Sequence, residues 1–209
     1  MTFNYRGIGA SNAPIEGLSL HDFSRDIWSI ADSLECATVH LLGKAFGNRV
    51  MRTASSDQPE RVSTITLIAA GGEVLPTEET QTKFRRYFDA SLSRDEWTRL
   101  HAEINYAPIN AHLAAAAADL GTYPLAAAGQ AASIRATPPD EWLVGGTAPM
   151  LVMVGLDDRV APPENGLRLA ERRPGTWLVG LPDCGHSMLD EQPEAIMRSL
   201  TTFLGQAHL

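Results

Sequence analysis

The chain has 209 residues and a formal net charge of −8. That length fits one domain with room for an inserted subdomain. The acidic balance, with no basic run to offset it, argues against a nucleic-acid or anionic-membrane surface.

Other classes fall away as quickly. No apolar segment approaches the ~20 residues of a membrane span. The first residues are polar and glycine-rich, unlike a charged leader followed by an apolar stretch. Cys36 and Cys184 lie far apart. They are expected to be two free thiols of a protein in a reducing cytoplasm.

The spacing predicts an amphipathic helix over 18–34. Ser19 caps it, Asp22 stands in the capping-box position, and Ile27, Ile30, Ala31 and Leu34 form the apolar stripe. A short β-branched run over 37–42 reads as a buried strand, and 46–56 as a helix ended by Asp57-Gln58-Pro59. The next strand covers 62–69 and closes on Gly71-Gly72. Residues 73–148 contain no clear strand; helices are expected over 80–90, 93–105, 110–120 and 124–136. The third of these rests on the propensity of the alanine run at 114–118. A strand at 150–155, a helix at 163–172, a strand at 176–181 and a helix at 193–204 complete the chain. Strands alternating with helices imply a parallel sheet with helical crossovers. The expected domain organisation is a core of 1–72 and 149–209, with 73–148 as a helical lid inserted over the sheet. Packing alone would also account for such an excursion. Trp97, Tyr106, Tyr123 and Trp142 could line a pocket beneath it, although aromatics at helical positions are more often core.

Gly43-Lys44-Ala45-Phe46-Gly47 sits between the first strand and its helix. It has the spacing of a nucleophile elbow, G-x-S-x-G, with alanine where the serine would stand. An ordinary strand–helix junction, with glycines for close packing, has the same pattern. Asp158, just past the strand at 150–155, can orient a histidine; Asp157 is its neighbour. His186, in a loop after the strand at 176–181 and preceded by Gly185, is placed as a catalytic base. Bland readings remain: a loop carboxylate for Asp158 and a surface or capping histidine for His186. The other histidines form no ligand-spaced cluster, so neither metal nor cofactor is expected. Cys184 is an improbable nucleophile, because sequence neighbours seldom form a nucleophile–base pair.

Further matches accumulate in order. They are Arg6-Gly7-Ile8-Gly9-Ala10-Ser11, Gln58-Pro59-Glu60-Arg61-Val62, Gly155 through Pro162, Gly185-His186 and Glu191-Gln192-Pro193-Glu194. With elbow, acid and histidine in the order Ser…Asp…His, the chain resembles the α/β-hydrolase superfamily over nearly its whole length. Gly7-x-Gly9 is then no dinucleotide fingerprint, since Asn12 replaces the third glycine.

The resemblance implies a mostly parallel α/β sheet, with Asp158 and His186 as acid and base. Ala45 carries over only as the nucleophile position, and the Phe46 N–H as an oxyanion donor. Lys44 departs from the family; its ammonium is expected to reach solvent rather than hold a carboxylate. The family's first three strands have no counterpart here, and Met1-Thr2-Phe3-Asn4 could supply only the tail of the fourth. The third strand normally lies beside the elbow strand, so a gap is expected there. The expected explanation is an N-terminally truncated chain or a misassigned start; a degenerate copy, or strands borrowed from a partner, are the alternatives. The function implied is hydrolysis of small ester, amide or carbamate-like substrates through an Asp–His pair and water. The alternative is a non-catalytic ligand-binding protein or remnant. The expected partner is a small molecule, with no nucleic acid or membrane; a second copy of the chain is left open.

Overall fold

The computed structural model describes residues 1–11, 14–117 and 123–206. The core elements are α1 (Leu20–Ser33), β1 (Val39–Lys44), α2 (Phe46–Asp57) and β2 (Val62–Ile68). An excursion follows with α3 (Glu78–Tyr87), α4 (Arg94–Asn105), a 3-10 segment (Pro108–Ala117), α5 (Pro124–Ala136) and α6 (Pro139–Trp142). The chain returns with β3 (Met150–Gly155), α7 (Glu164–Arg172), β4 (Trp177–Leu181), α8 (Met188–Glu191) and α9 (Pro193–Gln206).

The described strands form one sheet in the order β1-β2-β3-β4, every pair parallel. Successive side chains of a strand point to opposite faces, and both faces of β2 and β3 are covered. Ile65, Leu67, Met150, Val152 and Val154 pack beneath α1 and α2. Ile68, Leu151 and Met153 face Ile196 and Phe203 of α9. This double burial explains why β3 reads as a continuous apolar run and why even Thr64 and Thr66 of β2 are buried.

β1 pairs only with β2 among the described residues and forms the outer strand. It begins two residues later than expected and runs to Lys44, directly into the elbow. Leu42 is exposed on this outer strand. No strand forms over 1–11. Instead Phe3 and Tyr5 enter an edge-to-face aromatic chain that reaches Phe23 and Phe46. Behind them Gly7, with φ 74°, makes a turn closed by its N–H to the Ser11 carbonyl. Arg6 and Asp26 fasten that turn to α1 through two hydrogen bonds of 2.6 and 2.7 Å.

In α1 the capping box is present: the Ser19 N–H donates to the Asp22 carboxylate at 2.8 Å. The apolar face differs from the expected stripe. Phe23, Ile27, Trp28 and Ala31 enter the core, whereas Leu34 ends the helix and is exposed. The expected helix over 110–120 is a 3-10 segment as far as Ala117, and 118–120 lie outside the described residues. Alanine propensity permits an α-helix but supplies no broad apolar stripe to hold its register. The segment's start is instead pinned by Asn110, whose side-chain amide donates to the Asp183 carbonyl and the Glu191 carboxylate. The single-turn helices α6 and α8 were not expected; four residues are too few to show a period.

Candidate active site

The elbow is built by steric exclusion. Ala45 sits between β1 and α2 with φ 51° and ψ −116°, a region that non-glycine residues seldom occupy. A Cβ on Gly43 would lie 2.4 Å from the Gly47 carbonyl oxygen, so the turn can close only with glycine there. Its backbone is held from below. The Ala45 N–H donates to the Ile68 carbonyl at 3.1 Å. The buried Asn48 amide donates to both the Ala45 and Ala69 carbonyls, and Asn48 Oδ1 accepts from Arg52 at 2.7 Å. Phe46 opens α2, so its N–H has no acceptor within the helix.

The structure brings Asp158 and His186 together. Asp158 Oδ2 accepts from His186 Nδ1 at 2.8 Å, and the carboxylate is fully buried. Its other oxygen, Oδ1, accepts the N–H groups of Val160 and Ala161, each at 2.8 Å. With Nδ1 donating, Nε2 is left as the acceptor of the ring. Asp157 is not the partner; its N–H ties the acid loop to the Cys184 carbonyl. Gly155 allows this approach, since a Cβ there would meet the Cys184 and Gly185 carbonyl oxygens at 2.4 Å.

The histidine loop is locked to the end of α4 by Glu191. Its carboxylate accepts from the Gly185 and Ala107 N–H groups, each at 2.9 Å, and from the Asn110 amide at 3.2 Å. Tyr106 donates to Asp190 at 2.9 Å, and the Ser187 N–H to the Asn105 carbonyl at 2.7 Å. Lys44 does not reach freely into solvent as expected. It is half-buried near Asp190, Asp158 and Glu191; burial pulls its pKa down, and those carboxylates only partly offset this. Cys184 is fully buried, and burial, reinforced by neighbouring carboxylates, pushes its thiol up to about 12. Such a thiol is no nucleophile. Both cysteines are free.

Ala45, Phe46 and His186 line one cavity of about 470 Å³. Its aromatic wall is Phe46, Phe84 and Phe88. The four aromatics singled out from sequence do not line it: Tyr106 and Trp142 are core, and Tyr123 is largely exposed. Among the described residues no His, Cys, Asp or Glu cluster could hold a metal. None of the described helices is long and apolar enough to cross a membrane. The contributions of Asn48 and Glu191 left no spacing signal. Only Glu191 belonged to a motif, and there it read as part of a helix start.

A parallel sheet, a strained strand–helix elbow and an acid–histidine pair on the two following loops define a hydrolase-type α/β protein. A model of the alpha/beta hydrolase family matches residues 1–198, and the chain belongs to that family. It is 28% identical to a protein of Variovorax paradoxus strain S110 named "Putative carbamate hydrolase RutD", over 99% of this chain and 81% of that one. It is 25% identical to the 2-hydroxymuconate semialdehyde hydrolase of Pseudomonas sp. strain CF600, over 96% of this chain and 74% of that one. Among solved structures, a hydrolase from Pseudomonas aeruginosa PA01 superposes with a TM-score of 0.76 at 24% identity. That match covers 96% of this chain and 77% of the other.

Proposed function

We propose that the protein hydrolyses small ester, amide or carbamate-like substrates with water as the nucleophile. The observation that carries this reading is the buried Asp158–His186 pair, held at 2.8 Å, with His186 on the wall of the cavity that also contains Ala45. His186 Nε2 takes a proton from water as the oxygen adds to the substrate carbonyl carbon. Asp158 holds the ring's tautomer and stabilises the imidazolium. The developing oxyanion lies toward the Phe46 N–H, an orphan donor at a helix N-terminus. Collapse of the tetrahedral intermediate breaks the bond to the leaving alkoxide or amine, which takes the proton back from His186. Ala45 leaves room for water and closes the covalent route. Helix α3 with its C-cap Phe88, and helix α5, which contribute Phe84, Phe88, Ala127 and Ile134 to the wall, act as the lid. One reaction named among the relatives, carbamate hydrolysis, is compatible with this chemistry.

His186→Ala tests the reading: turnover of p-nitrophenyl acetate should fall by roughly 10²–10⁴-fold. Unchanged turnover would sink it. Ala45 itself favours a second reading, a ligand-binding protein that has lost its chemistry. That reading expects no turnover by the parent and no gain in Ala45→Ser. A stoichiometric burst of p-nitrophenol from Ala45→Ser would exclude it.

A further inference from the structure

In a chain of net charge −8, the cavity beside Ala45 and His186 has no Asp or Glu among its described lining residues. It does have Arg49 and, at its rim, the exposed Arg85. Arg49 is on α2, one turn beyond Ala45, and is partly buried. It makes no ion pair among the described residues, and its buried Nε has no hydrogen-bond partner. One turn further on, Arg52 is also buried, and its guanidinium is spent on protein oxygens of Asn48, Gly71 and Leu143. Both guanidinium groups lie over the Trp142 ring, 5.5 Å and 4.7 Å from its centroid. Burial disfavours the charge on each, and no carboxylate counters it.

Gly71 shows that the placement of Arg49 is built. A Cβ on Gly71 would lie 2.5 Å from one Arg49 terminal nitrogen and 2.9 Å from the other, so the guanidinium rests in the space a side chain would fill. Gly71 is itself part of the cavity wall. A partly buried guanidinium with an unpartnered Nε and no counter-charge lacks an anion. The rest of the wall says which kind. Phe84, Phe88, Ala127, Ala131 and Ile134 are apolar, and the neutral polar groups are the side chains of Thr80, Gln81 and Gln130. With Arg49 as the inner cation and Arg85 exposed at the rim, such a wall suits one planar, singly charged group on an apolar body.

We propose that this cavity takes a small monocarboxylate, its carboxylate paired with the Arg49 fork and its apolar chain laid against α3 and α5. The substrate is then an ester, amide or carbamate that carries a free carboxylate away from the bond cleaved. That second statement rests on the hydrolytic reading above; the carboxylate site does not.

The test is a titration of the full chain with sodium butyrate and with butyramide, its neutral isostere, by isothermal calorimetry and, wherever Arg49 is present, by following its Nε–Hε resonance in NMR. Butyrate should shift and saturate that signal, and butyramide should bind at least about tenfold more weakly. Arg49→Gln should weaken butyrate about 10- to 100-fold, the scale of a lost charge-assisted hydrogen bond. Gly71→Ala keeps the charge but displaces the guanidinium, and should weaken butyrate several-fold; it serves where Arg49→Gln fails to fold. Asp158→Asn, at a residue that does not line the cavity, should bind butyrate like the parent while losing turnover, which separates the anion site from the hydrolytic reading. Equal binding of butyrate and butyramide by the parent, undiminished butyrate binding in both Arg49→Gln and Gly71→Ala, or tighter binding of inorganic phosphate than of butyrate would each overturn the proposal.

Discussion

On the histidine side of the cavity the polar groups are answered inside the protein; on the elbow side they are not. Asp158 has both oxygens bonded, His186 has its Nδ1 fixed, and Glu191 accepts three donors from the surrounding loops. Across the cavity, position 45 carries no hydroxyl, and Arg49 keeps a buried donor without a partner. A side completed by the chain itself is preorganised and stays so when empty. A side left open is completed by what binds.

The sharpest way to break this contrast is Asp158→Asn. The amide would donate to His186 Nδ1 and leave Nε2 protonated, so the ring could no longer accept a proton from water. Turnover should fall by about 10²–10⁴-fold with little change in the far-UV circular dichroism spectrum. A variant that still turns over ester at the parent rate would show that the histidine side does no chemistry.

Glu191→Ala attacks the packing of the same side. It strands the Gly185 and Ala107 N–H groups, and should lower the unfolding free energy in urea by about 2–4 kcal/mol. A change near zero would mean that water replaces the carboxylate and that the loop is held by other contacts.

The smaller effect concerns pH. His101 is buried on α4, and burial, then the nearby Lys44 charge, lower its pKa from 6.5 to about 4. Its Nδ1 also accepts from the Asn105 amide at 3.0 Å, which requires an unprotonated nitrogen. The unfolded chain therefore binds a proton before the folded one does. Stability from this residue is complete above about pH 6.5 and is lost as pH falls through 4, by about 3 kcal/mol in all. His101→Leu should flatten that part of the urea-stability profile; an unchanged slope would place the acid sensitivity elsewhere.

Strands β2 and β3 were legible because double burial writes itself as an apolar run, from Leu67 to Ala70 at the end of β2 and from Met150 to Val154 in β3. Glycines with positional meaning were legible too: Gly43 and Gly155 each stand where another backbone comes within contact of a would-be Cβ. Short-range pattern misled at Leu34, which has the right period but lies past the helix end, and in the alanine run, where propensity lacked a stripe to enforce it. It also misled at Lys44: a strand's alternation gives a side chain its face, but not the carboxylates of a distant loop that crowd it.

By itself the sequence determined the order of strands and helices, the elbow with alanine at its apex, and the loop positions of Asp158 and His186. These are local facts, set by periodicity, glycine and loop position along the chain. Only the tertiary structure decided which partners those groups have. Asp158 and His186 are joined across 28 positions, Glu191 and Ala107 across 84, and Arg49 lies in a recess left by Gly71. A hydrogen bond or an unmatched charge depends on distance in space, and the crossovers of a parallel sheet bring together side chains that no spacing along the chain relates.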